Sequence, residues 1–125
     1  MKKTLDQIRA AVAIQTKDEI LRSQGGSDKS KSFPTMVQTN GLLGALAFAI
    51  DKKTSRSEAA FYSIASAVVA HLNEVRKQDK SIMTEDIQDP ECLAKYLAKT
   101  STPTQFRRIT AECLAFLNYL RRFVS

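Results

Sequence analysis

The chain has no tryptophan, one histidine, two cysteines, three prolines and four glycines in 125 residues, and each scarcity removes a class of protein. With His71 alone, and Cys92 and Cys113 outside any C-x-x-C spacing, a tetrahedral zinc site has no ligand set and a zinc finger is excluded. Cys113 falls in a stretch that reads as a buried helical face, so the cysteines are expected to be structural thiols and not a disulfide. Long apolar runs are scarce too. The longest begins at Gly41 and stops at Asp51, Lys52 and Lys53, short of a bilayer span. The start, MKKTLDQIRAAVAIQT, has a basic tip, but Asp6 and Arg9 interrupt what would be the apolar core of a signal segment, so it reads as a mature helix. A cytoplasmic protein without membrane contact is the expectation.

Catalytic constellations are equally thin. His71 has no neighbouring Ser or Cys with an obvious orienting acid, so no triad is supported, and a lone His at the margin of a helical stripe is a structural or solvated residue. Glu85, Asp86, Asp89 and Glu91 match no EF-hand spacing, and acids before a helix serve as caps and dipole partners. GLLGALAF has no strand before it and no Lys-Ser/Thr after it, which removes the phosphate loop. The expectation is no enzyme, no metal and no cofactor.

What is present is helix and positive charge. At 43% hydrophobic, the chain is long enough for one core and too short for two, giving a single domain over 1–125. Leu5, Ile8 and Val12, widened by Ala10, Ile14 and Leu21, predict a first helix over about Thr4 to Arg22. SQGGSDKSKS, residues 23–32, is Gly, Ser and charge and reads as a flexible loop. Pro34 suits the first turn of a second helix reaching about Lys52. Asn40-Gly41 is a hairpin signal, but its flanks do not alternate and are rich in Leu and Ala, so helix is preferred. That helix is apolar almost all round and therefore central. Its glycines cost about 1 kcal/mol each, which a groove admitting a neighbouring backbone would offset.

A third helix, capped by Ser55 or Ser57, has Phe61, Ile64, Ala65, Val68, Leu72 and Val75 as its stripe and ends near Lys77. Thr84 offers a short helical turn. Asp89-Pro90-Glu91 and Thr102-Pro103 start two more helices. In the last, Phe106, Ile109, Cys113, Phe116, Leu117, Leu120, Phe123 and Val124 make one stripe, with Arg107, Arg108, Asn118, Tyr119 and Arg122 outside it. The fold class is all-α, a single-domain bundle of about five main helices.

The 19 Lys and Arg against 13 Asp and Glu give a net charge of +6, which favours polyanionic partners without choosing among them. Lys52, Lys53 and Arg56 flank one helix junction. Arg107, Arg108, Arg121 and Arg122 recur about four turns apart on the last helix, a spacing able to follow a phosphate backbone. Tyr119 beside Arg122 adds a stacking surface of the kind single-strand binders use. A solubilising basic face has the same composition. A helix-turn-helix DNA reader lacks a recognition helix rich in base-reading side chains.

Two segments together resemble a known family. FPTMVQTNGLLGALAFAI, through Pro34, Asn40, Gly41, Leu42, Leu46, Ala47 and Phe48, and FRRITAECLAFLNYLRRF, through Phe106, Arg107, Thr110, Glu112, Tyr119, Leu120, Arg121, Arg122 and Phe123, are similar to the two best-marked helices of the small all-α subunit of the type III-B CRISPR-Cas effector, the fifth subunit of the Cmr complex. Phe106 and Tyr119 depart from the tyrosine and tryptophan of that pattern. The resemblance implies a non-catalytic subunit stacked in several copies beside the backbone subunits, lining the channel where guide RNA and single-stranded target RNA pair, with cleavage left to other subunits. Sequence is then read by base pairing, and the protein supplies charge and shape. It also implies that Gln38 and Asn40 are polar contacts at a joint with a neighbouring subunit. The rival reading is a helical adaptor for an acidic protein partner.

Overall fold

The computed structural model describes residues 2–124, which form five α-helices and no strand among the described residues: α1 (Leu5–Arg22), α2 (Gly26–Asp51), α3 (Ala60–Gln78), α4 (Pro90–Lys99) and α5 (Pro103–Val124). The all-α class follows from the sequence pattern as expected. α1 starts at a capping box: Thr4 Oγ1 accepts from the Gln7 amide at 3.1 Å and Gln7 Oε1 accepts from the Thr4 amide at 2.8 Å, satisfying two donors that the helix leaves open. Its inner face is Ile8, Val12, Ala13 and Ile20. Leu5, Ile14 and Leu21, assigned to that stripe from spacing, are instead exposed.

The stretch 23–32 is not a flexible loop. The chain turns tightly, with the Ser23 amide donating to the Ile20 carbonyl at 3.1 Å and the Gly26 amide to the Ser23 carbonyl at 3.2 Å, and α2 begins at Gly26. The glycines supply geometry. Gly25 sits at φ 68°, and a Cβ on Gly26 would lie 2.1 Å from the Ile20 carbonyl oxygen. Ser30 is buried, its hydroxyl donating to the Gly26 carbonyl at 2.8 Å. Pro34 therefore lies inside α2 and not in its first turn, where its missing N–H forfeits one bond to the preceding turn.

Asn40-Gly41 makes neither a hairpin nor an unbroken helix. Gly41 adopts φ 78°, ψ 163° and kinks α2 into two parts, a conformation open essentially to glycine alone. Nothing lies within 4 Å of where its Cβ would stand, and Gly44 meets only its own helix at Asn40. The expected groove for a neighbouring backbone is absent at these glycines, and Gly41 serves the kink. α2 is long and apolar enough by composition to cross a membrane, more than the shorter run predicted. Its polar residues Thr35, Gln38, Thr39 and Asn40 face outward while Phe33, Val37, Leu42, Ala45, Leu46 and Ala49 are buried, the arrangement of a core helix.

α3 begins at Ala60, after turns in which Ser55 and Ser57 cap nothing; the six residues assigned to its stripe are all buried. Phe61 meets Phe48 edge-on at 5.1 Å and Phe33 at 6.3 Å, joining both halves of α2 to α3. Thr84 starts no helix. The connection 79–89 is held by side chains of α3: Asn73 donates to the Ile87 carbonyl at 2.6 Å and accepts from its amide at 2.9 Å, and Arg76 donates to the carbonyls of Met83 and Thr84, each at 3.0 Å. Ile82, Met83 and Ile87 are thereby buried. Asp89 caps α4 by accepting from the Cys92 amide at 2.7 Å, and Thr102 and Gln105 make a second capping box at the start of α5. α1 packs on α3 and α5, α2 on α3, α4 and α5.

Candidate nucleic-acid interface

The basic residues of α5 divide by what they already hold. Arg107 and Arg121 are exposed and make no ion pair or hydrogen bond with the described residues. Fourteen positions apart, they lie within about 40° of one another around the helix and about 21 Å apart along it. Arg108 is committed: it donates to the Ser81 hydroxyl at 2.6 Å and pairs with Asp79. Hydrogen bonds from Ser81, and then from Arg108, hold the Asp79 carboxyl far below the usual carboxylate range. Tyr119 donates to Asp6 Oδ1 at 2.8 Å, and that bond, ahead of burial, raises its phenol. Arg122 is exposed beside it.

At the α2–α3 junction only Arg56 is exposed without a partner among the described residues. Lys52 stands 3.5 Å from Glu58 and 3.7 Å from Asp51, with its ammonium 5.5 Å from the Phe48 ring. Lys53 pairs with Glu91 at 3.4 Å and lies 4.8 Å from the Tyr62 ring centre; Tyr62 donates to the same Glu91 at 2.5 Å. Lys53 is beside the start of α3 and Arg108 beside its end, about 25 Å apart by helical rise. The predicted residues thus form a corner and a line on α5, not one patch.

Gln38 and Asn40 are exposed, directly before the kink at Gly41, and neither amide is hydrogen-bonded within the described residues. Three of the four acids set aside as a metal site are engaged elsewhere: Asp86 with Arg76 at 3.1 Å, Asp89 in its cap, and Glu91 with Tyr62. No cluster of three His, Cys, Asp or Glu occurs among the described residues. Both thiols are free, Cys113 buried as expected and Cys92 exposed, contrary to a structural role.

One constellation escaped sequence reading. Glu112, buried inside α5, accepts from Arg9 Nε and Nη2, both at 2.8 Å, and from His71 Nε2 at 2.7 Å, while the His71 ring stacks on Phe116 with centres 4.5 Å apart. Burial pushes the Glu112 carboxyl up, but the hydrogen bonds and charges of Arg9 and His71 outweigh it and hold the group at about 2. His71 is fully buried and its Nδ1 has no partner. The available signal was register: Glu112 stands three residues after Ile109 and four before Phe116, on a buried row. Through these bonds Glu112 ties α1, α3 and α5 together at one buried carboxylate.

Two shallow clefts mark the ends of α5. One, of about 370 Å³, is lined by Thr102, Pro103, Phe106 and Arg107; the other, of about 330 Å³, by Asn118, Tyr119, Arg122 and Phe123. Phe123, predicted as core, is 38% exposed.

No curated protein matches the chain significantly. Among solved structures, the crystal structure of a CRISPR-associated Cmr5 family protein from Thermus thermophilus shares the fold, with a TM-score of 0.72 over 98% of this chain and 96% of that one at 24% identity. Residues 5–125 match the family of CRISPR-associated proteins Cas_Cmr5. With that match over nearly the whole chain, the chain belongs to the Cmr5 family, and so to the subunits of the multi-subunit CRISPR Cmr complex.

Proposed function

We propose that this chain is a non-catalytic subunit that lines the channel in which guide RNA and single-stranded target RNA pair in a type III-B effector, acting in the cytoplasm in antiviral defence. The observation that carries this reading is the pair Arg107 and Arg121: exposed, about 21 Å apart on one side of a rigid helix, and unspent on any group of the described residues. Phosphates offer what such side chains lack. Arg56 extends the surface, and Arg122 lies on it beside Tyr119, which already donates to Asp6; Lys52, Lys53 and Arg108 must share their charge with Glu58, Glu91 and Asp79. Gln38 and Asn40, with exposed side-chain amides beside a kink, serve as contacts to a neighbouring subunit or a second copy.

The test is Arg107→Glu with Arg121→Glu in the reconstituted complex. Affinity for complementary single-stranded RNA should fall, and the salt slope should shrink by about 0.7 for each phosphate no longer neutralised, with thermal unfolding unchanged. Unaltered affinity and slope would overturn the surface. One observation favours the adaptor reading: a groove of about 830 Å³ between α1 and α3 combines Lys2, Lys3 and exposed Ile14 with Lys77, which is paired to Glu74. A stoichiometric acidic protein partner recovered without RNA would establish it.

A further inference from the structure

We propose that the cleft at the C-terminal end of α5 is a nucleobase site, in which an unpaired base stacks on Phe123; the proposal rests on the RNA-channel reading and deepens it. Every other phenylalanine of the chain is buried or partly buried, whereas Phe123 is 38% exposed. It lines a cleft of about 330 Å³ with Asn118, Tyr119 and Arg122. Phe123 and Asn118 combine what a base requires, an aromatic face and an amide able both to donate to and accept from a base edge, and Arg121 on the same last turn offers a guanidinium to the phosphate.

The platform is also pre-positioned. Tyr119 is half-buried and its hydroxyl donates to Asp6 of α1 at 2.8 Å, so the ring beside Phe123 is held from a second helix and need not be ordered on binding. The helix C-terminus itself repels phosphate with about half a negative charge, but Arg121 and Arg122 occupy that last turn, and Arg121, without a partner among the described residues, brings a full positive charge to it. Phosphate is therefore tolerated where a base is held. A protein partner would meet the same Phe123 as an apolar anchor, and the two cases separate by their dependence on the base.

The experiment compares a short single-stranded oligoadenylate with an abasic sugar-phosphate strand of equal length, titrated into the full chain at low salt. The oligoadenylate should bind about tenfold more tightly, the scale of one stacked base. Phe123→Leu should remove that advantage while leaving the salt slope and thermal unfolding unchanged, and Phe123→Trp should keep it. Equal binding of the two strands with a normal salt slope would overturn the base site and leave the phosphate surface standing, as would an advantage that survives Phe123→Leu. Binding of neither strand would overturn both.

Discussion

Arg9 and Glu112, 103 positions apart in the chain, meet in two parallel hydrogen bonds of 2.8 Å, and the Arg9 side chain reaches Glu112 where His71 already donates to it. A bidentate guanidinium and carboxylate fix relative position as well as charge, so this contact sets the packing of α1 on α5.

Breaking it should be costly. Glu112→Gln leaves Arg9 without its counter-charge and weakens the hydrogen bond to buried His71, and a loss of about 3–5 kcal/mol is expected, read from urea unfolding. The wild type should respond to acid through the same group. The folded carboxyl sits at about 2, below its ordinary 4.5, so its stabilisation is complete above about pH 4.5 and is lost as pH falls toward about 2. The unfolding midpoint should drop across that window in the wild type and show a shallower drop in Glu112→Gln.

The two glycine devices of α2 should respond differently to alanine. At Gly26 an added methyl lies 2.1 Å from the backbone oxygen of Ile20, so the turn itself must move, and a loss above about 3 kcal/mol is expected. At Gly41 the space is open and only the backbone conformation resists, at about 1–3 kcal/mol. Chemical denaturation of both variants should place Gly26→Ala as the more damaging.

Asn73 should matter more than a half-buried amide usually does. It satisfies both the amide and the carbonyl of Ile87, so Asn73→Ala leaves two backbone groups unpaired, at about 1–3 kcal/mol. Hydrogen exchange should rise across residues 82–88 before it rises in α3.

The thiols should titrate in two steps. Cys92 is exposed and Cys113 is buried, with burial as the leading cause raising the Cys113 thiol far above its usual range. Alkylation under native conditions should modify one thiol per chain, and Cys113 only after unfolding.

Local signals were the ones legible in the sequence. Asp89-Pro90 and Thr102-Pro103 predict helix starts because capping needs only neighbours, and the α5 stripe follows from period alone. Phe123 falls on that stripe by spacing yet lies open, because periodicity gives a face but not where the covering helix stops. The Gly/Ser stretch reads as loop because composition cannot distinguish a glycine that is free from one that must be glycine, and only the Ile20 carbonyl decides Gly26. The arginines of α5 were legible as a set; their division into Arg107 and Arg121 on one hand and Arg108 on the other depends on Asp79 and Ser81, which arrive from a different part of the chain.

The partnership of α1 with α5 has a consequence for the order of folding. Of the five helices these two are the most widely separated in sequence, yet they pack together, and Ile109, Cys113, Phe116, Leu117, Leu120 and Val124 join the core only when that separation is closed. Contacts between distant segments carry the entropy of closing everything between them. The bundle therefore shuts by its longest loop, and shortening α5 would leave helices that form without a bundle that closes.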